Sequence, residues 1–265
     1  MTRDLTAGGC TLSGDSATGT IVQSSVGRLP SGVGGGIYVY GGSILLSNGY
    51  YDHGQASLTN CTIAGNFANG NTTGAVSGSG GGLYVDGSAG GSDLIYVYLI
   101  NCTVSLNRAN SVGGGIAVEI NAGSGNAGGV LRLVNTIVAG NTDRVHGGRV
   151  YSEGFYGADI EVSTLYADHC LFGNGSGVFF NPAPNGDIVG GLGGNPVIDA
   201  MLGPLQNNGG PTMTMALLAG SPAIGHGVSA SFGIGGWLNA PATDQRGVTR
   251  LDQPGELIDM GAYEL

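Results

Sequence analysis

The peptide Asn60-Cys61-Thr62-Ile63-Ala64-Gly65-Asn66 recurs as Asn101-Cys102-Thr103-Val104-Ser105-Leu106-Asn107 and as Asn135-Thr136-Ile137-Val138-Ala139-Gly140-Asn141, with a degenerate copy at Asp168-His169-Cys170-Leu171-Phe172. A second peptide runs in phase with it, three glycines followed by a β-prone run: Gly34-Gly35-Gly36-Ile37-Tyr38-Val39, Gly80-Gly81-Gly82-Leu83-Tyr84-Val85 and Gly113-Gly114-Gly115-Ile116-Ala117-Val118. A chain built this way buries the apolar face of each repeat only against its neighbours. Asn60 to Asn101 spans 41 positions, while Asn101 to Asn135 and Asn135 to His169 span 34 each. Constant strands joined by Gly/Ser/Asn-rich connectors of unequal length are the mark of a β-solenoid, because insertions loop out at a corner while the strands keep register. Ankyrin and tetratricopeptide arrays share the period but need helical patterning, and none is present. A 34-residue repeat has room for three strands, of which two are evident.

Composition narrows the classes further. The chain has 55 glycines and 41% hydrophobic residues against only 10% charged ones, which excludes a disordered chain and, without a three-residue period, collagen. Glycine and asparagine instead supply the positive backbone angles of many tight turns. The net charge of -10 and the absence of lysine argue against nucleic acid as a partner and against a polybasic membrane contact. No run approaches the ~18 apolar residues of a membrane span, so no membrane insertion is expected. The opening residues show no signal-peptide pattern, and Gly9-Cys10-Thr11-Leu12-Ser13-Gly14 already echoes the repeat. An upstream segment carrying an export signal is therefore expected.

The repeat also sorts side chains. Cys10, Cys61, Cys102 and Cys170 occupy one repeat position, filled by Thr136 in the remaining copy. They are expected to stack inward as small buried hydrophobes, the alternatives being a disulfide between adjacent copies or a metal site. Strand alternation puts Ile100, Cys102 and Val104 inward with Val134, Thr136 and Val138, and Asn101 and Thr103 on the other face. Asn66, Asn107 and Asn141 follow at a fixed offset, as an asparagine ladder would.

In the glycine-led strand, Ile37, Leu83 and Ile116 face inward with Val39, Val85 and Val118. The outward column then reads Tyr38, Tyr84, Ala117 and, if Gly147-Gly148-Arg149-Val150-Tyr151 is a further copy shifted by one residue, Tyr151. Two residues on it reads Tyr40, Asp86, Glu119 and Glu153. At strand spacings of ~4.8 Å this is an aromatic stripe beside a carboxylate column. Tyr38, Tyr40, Tyr84 and Tyr151 offer ring faces to a carbohydrate, and Asp86, Glu119 and Glu153 would accept sugar hydroxyls or bind calcium through oxygen. The plainer reading is that the tyrosines serve cross-strand packing and the acids are solvated.

Together, the Gly-Gly-Gly-Ile and Asn-Cys-Thr-Ile copies resemble bacterial right-handed parallel β-helix proteins with repeats like those of polymorphic outer-membrane proteins. The tail carries a more specific likeness. Met201-Leu202-Gly203-Pro204-Leu205-Gln206-Asn207-Asn208-Gly209-Gly210-Pro211-Thr212, Ala216-Leu217-Leu218-Ala219-Gly220-Ser221-Pro222-Ala223-Ile224-Gly225-His226-Gly227, Asp244-Gln245-Arg246-Gly247 and Asp259-Met260-Gly261-Ala262-Tyr263-Glu264 resemble the choice-of-anchor Q domain that ends many exported β-helix proteins. Relatives tend to carry Ile-Asp-Ala-Gly where this chain has Gly225-His226. The resemblance covers roughly residues 30 to 265. It implies an all-β, right-handed parallel β-helix over residues 1–195, a C-terminal capping, anchor-like segment over 196–265, and an extracellular or cell-surface setting. It implies no single shared activity. Asp244, Arg246 and Asp259 are expected to pin the tail over the last repeat.

Two function classes follow. The first is a non-catalytic surface module that binds a polysaccharide or cell-surface glycan, adheres, or builds the surface. The second is a polysaccharide lyase or glycoside hydrolase working along the outward face, helped by calcium. A lyase needs a base, and lysine is absent. A hydrolase needs paired carboxylates ~5 Å or ~6.5–9.5 Å apart, which Asp86, Glu119 and Glu153 would supply. The run Asp143-Arg144-Val145-His146-Gly147-Gly148-Arg149 concentrates scarce charge, with Asp159, Glu161 and Asp168-His169 beyond it, so His146 and Arg149 join the catalytic candidates. No cofactor beyond calcium is indicated. Unpaired edge strands at the first repeat would also permit end-to-end self-association.

Overall fold

A computed structural model of the chain describes residues 5–14, 20–22, 34–40, 44–45, 51–52, 55–70, 78–86, 94–119, 128–146, 149–150, 159–180, 185–233, 236–250 and 257–265. Each Asn-Cys-Thr copy bends at its first residue. Asn60, Asn101, Asn135 and His169 have φ of 51°, 50°, 48° and 52°, the left-handed region that Asn and His enter more readily than most residues. A residue in that conformation turns the chain and ends the alternation of a strand. Ile100 to Val104 is therefore two strands, Leu94–Ile100 and Thr103–Ser105, in different sheets. The expectation that Asn101 simply faces outward from a single strand is corrected: it forms the corner.

The described residues are all-β, with parallel sheets and a single 3-10 turn at Leu192–Gly194. In the cysteine-led sheet, Thr11–Ser13, Thr62–Ala64, Thr103–Ser105, Ile137–Ala139, Leu171–Phe172 and Ile188–Val189 lie side by side in chain order, all parallel. A second stack precedes each corner: Leu5–Gly8, Gln55–Thr59, Leu94–Ile100, Gly128–Val134 and the end of Ile160–Asp168. The glycine-led stack holds Thr20–Val22, Ile37–Tyr40, Leu83–Asp86, Ile116–Glu119 and the start of Ile160–Asp168. The last of these strands thus belongs to both stacks. This arrangement is compatible with a parallel β-helix.

Register within the glycine-led stack runs Tyr38 to Tyr84 to Ala117 and Tyr40 to Asp86 to Glu119, as the repeat implies. Its next member differs from expectation. Ile116 and Ala117 pair with Ile160 and Glu161, and the Asp159 carbonyl accepts from the Gly115 and Ile116 amides. Arg149–Val150 instead pairs antiparallel with Val145–His146. The next place in this stack is thus taken by Ile160 and Glu161 and not by Arg149–Val150, and Tyr151 and Glu153 lie outside the described residues.

Inward positions of the three stacks meet in one core that includes Leu83, Ile116, Leu99, Leu133, Val104 and Phe172. Complete burial of each such side chain is worth about 1.5–3 kcal/mol. The cysteines are free, with Cys61, Cys102 and Cys170 buried and Cys10 partly exposed. Thr136 joins the column because its hydroxyl donates to the Val134 and Leu99 carbonyls at 3.0 and 3.1 Å. Beside the core, the Asn66 side chain donates to Asn107 Oδ1 at 3.0 Å and that of Asn107 to Asn141 Oδ1 at 2.9 Å. Asn141 in turn donates to the Asp159 carboxylate, where the ladder ends. The ladder demands the third glycine of each triplet: a Cβ on Gly36, Gly82 or Gly115 would stand 2.8, 3.0 or 2.7 Å from the neighbouring asparagine Nδ2.

The C-terminal segment takes a different course from the expected cap over the last repeat. It runs along the outside of the cysteine-led sheet as far as the first repeat. Thr212 donates to the Gly9 carbonyl at 3.0 Å. Gln245 donates to the Cys10 carbonyl and Thr11 hydroxyl at 3.0 and 2.9 Å, and accepts from Thr62 at 2.6 Å. The buried corner asparagines are its partners too. Asn60 donates to the Thr243 carbonyl and Asn135 to that of Val228, each at 2.7 Å, and the Ala262 amide donates to Thr103 at 3.0 Å. Outward threonine and asparagine columns would otherwise carry open polar groups against an apolar sheet, so the segment acts as a strap along the flank.

Candidate functional site

The expected ligand surface is not open. Tyr38, Tyr84 and Asp86 are only 3%, 2% and 3% exposed. The two rings stack with centroids 5.7 Å apart and pack with Ala117 and Val112. Tyr38 Oη donates to Asp86 Oδ2 at 2.7 Å. The groups expected to stack on sugar or to bind calcium, Tyr38, Tyr84 and Asp86, thus face outward from their strands but are covered, and the carboxylate accepts from Tyr38. Glu119 holds the register position next to Asp86, and His146 is opposite Arg149 in the antiparallel pair. Tyr40 aligns with Asp86. The structure describes the backbone alone for Tyr40, Glu119, His146 and Arg149. Among the described residues no group of three or more His, Cys, Asp or Glu side chains is arranged to hold a metal ion.

A partly exposed aromatic row occurs instead on the stack before the corners. Alternation in Leu94–Ile100 buries Ile95, Val97 and Leu99 and turns Tyr96 and Tyr98 outward, half-exposed. Register places Ser57, Tyr98, Arg132 and Tyr166 in one row across neighbouring strands. All four are partly exposed. The Arg132 guanidinium lies 5.5 Å from the Tyr96 ring centroid, 5.7 Å from Tyr98 and 5.4 Å from Tyr166, within cation–π range of all three. Tyr96 and Tyr98 are themselves near-parallel, 6.5 Å between centroids. Among the described residues Arg132 has no ion-pair partner and its Nε no hydrogen-bond acceptor. Among the described residues this row thus gathers three tyrosine rings around one guanidinium that has no carboxylate partner.

Sequence reasoning passed over this row although its signal was present. Ser57, Tyr98, Arg132 and Tyr166 each stand three residues before a repeat corner, at Asn60, Asn101, Asn135 and His169. Their strand was hidden because it differs in composition from copy to copy, whereas the strands flanking it repeat almost word for word.

The remaining charged candidates have structural partners. Asp143 is buried and its Oδ2 accepts from the Gly113 amide at 2.9 Å. Asp159 accepts from the Asn174 amide at 2.6 Å as well as from Asn141; burial pushes its carboxyl up to about 7 against these hydrogen bonds. At the last corner His169 Nδ1 is 2.6 Å from Asp168 Oδ1, which also accepts from Asn185 at 2.8 Å. Burial likewise raises the neighbouring Asp187 to about 7, while its Oδ1 accepts from the Cys170 amide at 2.7 Å. These groups close the degenerate copy.

In the strap, Asp244 accepts from Arg246 Nε at 2.8 Å and from three backbone amides, those of Arg246, Val248 and Glu264. Asp259 accepts from the Gly225 and Leu265 amides at 2.7 and 2.8 Å. Arg250 was not anticipated. It is 2% exposed, donates to Glu264 at 2.6 Å, and reaches Asn60 at 3.2 Å and the Gly261 carbonyl at 2.9 Å. Burial lowers the Arg250 pKa and raises that of Glu264, and attraction within the pair opposes both. The cluster fastens the strap.

A groove of about 400 Å³ lies between the strap and the turns after the cysteine-led strands, lined by Leu106, Ala139, Val197, Leu202, Pro204 and Met215 among others. Its walls are mostly apolar, with Ser105 and Asp199 the polar side chains among them.

Comparison with known proteins finds no match to a family model, a curated protein or a solved structure.

Proposed function

We propose that this chain is an exported, right-handed parallel β-helix of the extracellular space or cell surface, ending in a choice-of-anchor Q-like segment, and that it is a non-catalytic carbohydrate-binding module. The row Ser57, Tyr98, Arg132 and Tyr166, with Tyr96 beside it, is the observation that carries the binding assignment. Aromatic faces held rigidly on a sheet stack on the apolar faces of sugar rings, and the guanidinium donates to sugar oxygens. A row with one group per strand repeats every ~4.8 Å, so an extended glycan crossing the strands meets successive subsites. Handedness follows from the near-universal right-handed crossover between parallel strands in one sheet. Against the lyase or hydrolase alternative stands the withdrawal of Asp86 into a buried contact with Tyr38.

The test is glycan-array binding followed by calorimetry with wild type, Tyr98→Ala and Tyr166→Ala. Each ring is worth about 0.5–1.5 kcal/mol beyond simple burial, so each variant should weaken binding roughly 3- to 10-fold and the double variant more than 10-fold. Unaltered affinity in the double variant would remove this face from consideration. Release of unsaturated products or reducing ends from a bound polysaccharide would transfer the protein to the enzyme class.

A further inference from the structure

We infer that Cys10 and Cys61 are an oxidation site, two thiols converted to a disulfide by a low-molecular-mass disulfide as the chain folds. The inference is independent of the glycan reading. Thr11 and Thr62 are register partners on neighbouring parallel strands, which sets Cys10 beside Cys61. Parallel neighbours lie ~4.8 Å apart, inside the ~4.4–6.8 Å Cα separation that a disulfide spans. The two sulfurs are already 2.7 Å apart. That lies between a covalent S–S bond of ~2.05 Å and the ~3.5–4 Å of ordinary non-bonded heavy-atom contact.

The other cysteines are placed differently. Thr136 stands between Cys102 and Cys170 in the column, so these two are never neighbours. Cys61 does meet Cys102, but both of those thiols are fully buried and directed at strand carbonyls, Cys102 at Leu58 and Ile100, 3.4 Å from each, and Cys61 at Thr59, 3.3 Å away, so neither of that pair is open to an oxidant. Cys10 sits on the edge copy and is partly exposed, within reach of an oxidant.

Both thiols are poor nucleophiles once packed. Cys61 is raised to about 12, its hydrogen bond with Cys10 pulling it down while that with Cys102 and burial push it up. Cys10 is raised further, by its hydrogen bond to Cys61 and then by burial. Thiolate is scarce in the finished fold, so exchange belongs to assembly of the first repeat. With oxidised glutathione, the Cys10 thiolate attacks one sulfur and releases glutathione thiolate, leaving a mixed disulfide on Cys10. The Cys61 thiolate then attacks the Cys10 sulfur, the Cys10–Cys61 bond forms and a second glutathione thiolate leaves. The cysteines lose two electrons, oxidised glutathione gains them, and the two thiol protons end on the released glutathiones. The bond links residues 51 positions apart and ties the first described copy to its neighbour in the cysteine-led sheet.

The experiment refolds the full chain with oxidised glutathione or with dithiothreitol, counts thiols after denaturation, and maps linked peptides by mass spectrometry. Four thiols in the reduced protein should fall to two, a Cys10–Cys61 peptide pair should appear, and Tm should rise by about 5–10 °C for a loop of this length. Cys10→Ser should abolish the link and the glutathione-dependent rise, while Cys102→Ser should retain both. Four thiols after oxidative refolding, or a Cys61–Cys102 link in the wild type, would overturn the assignment without recourse to any variant.

Discussion

Replacing Asn107 by Ala should be among the most damaging single substitutions in the array. Asn107 is fully buried. Its Oδ1 accepts from the Asn66 amide and Asn66 Nδ2, both at 3.0 Å, and its Nδ2 donates to the Ile63 carbonyl and Asn141 Oδ1, both at 2.9 Å. Alanine removes all four bonds. Asn141 Oδ1 keeps the Asn107 backbone amide as a donor, but the buried Asn66 amide loses its acceptor. A typical bond contributes about 0.5–1.5 kcal/mol and a stranded buried group costs about 1–3 kcal/mol. The sum is about 3–5 kcal/mol, or a fall in Tm of about 10 °C for a chain of this size. Asn110→Ala is the control: its side chain donates to Asn69 Oδ1 at 2.8 Å in an exposed setting, so its loss should cost below about 1 kcal/mol. Urea unfolding gives the two values. Hydrogen exchange at the Asn66 amide locates the damage, which matters because repeat arrays need not unfold in one step. If Asn107→Ala costs less than about 1 kcal/mol, or no more than Asn110→Ala, the ladder is not a stabilising element and the reasoning fails.

Three further outcomes are expected. Gly82→Ala sets a Cβ 2.8 Å from the Gly115 carbonyl oxygen and 3.0 Å from Asn107 Nδ2 and should cost more than about 2 kcal/mol; Gly65→Ala, with open space around it but φ of 70°, should cost only about 1 kcal/mol, as paired urea midpoints will show. Leu106 holds φ of 58° while 53% exposed, at a position filled by glycine in the copies at Gly65 and Gly140, so Leu106→Gly should stabilise by about 0.5–1 kcal/mol; a drop in Tm would mean that the leucine packs productively in the apolar groove. Asp159 has a folded pKa near 7 against 3.8 for the free group, so the folded state binds more protons between these values and stability from this group is lost as pH rises through that window. Relative to Asp159→Asn, wild type should therefore lose Tm between pH ~4 and ~7, and parallel pH dependences in scanning calorimetry would contradict the assignment.

Much of the architecture was legible because identical peptides must adopt identical surroundings when they stack. Register in the glycine-led stack, the cysteine column and the asparagine ladder all follow from aligning copies of Gly-Gly-Gly and Asn-Cys-Thr. What escaped was set by contacts between segments far apart in sequence. Alternation shows that Tyr38 and Asp86 leave the strand on the side away from the core, but not that this side is covered. Asn101 reads as one more residue of a strand until its backbone angle is known. Gln245 and Arg250 reveal their role only through Thr62 and Asn60, more than 180 positions earlier. The tyrosine row keeps its offset from the corners while changing residue type, so identity-based alignment misses it.

The strap changes the order in which this chain can become native. In an array held only by contacts between adjacent copies, a repeat is complete once its neighbour has folded, and growth proceeds from one end as the polypeptide emerges. Here Gly9, Cys10 and Thr11 receive partners from Thr212, Met213 and Gln245, over 200 residues later. Residues 9–11 are therefore finished only after residues made more than 200 positions later. That strand stays unlatched until the strap arrives, and such long-range closure makes folding slow. A chain cut short before Thr212 should leave the copy at residues 9–13 open to proteases while later copies stay protected.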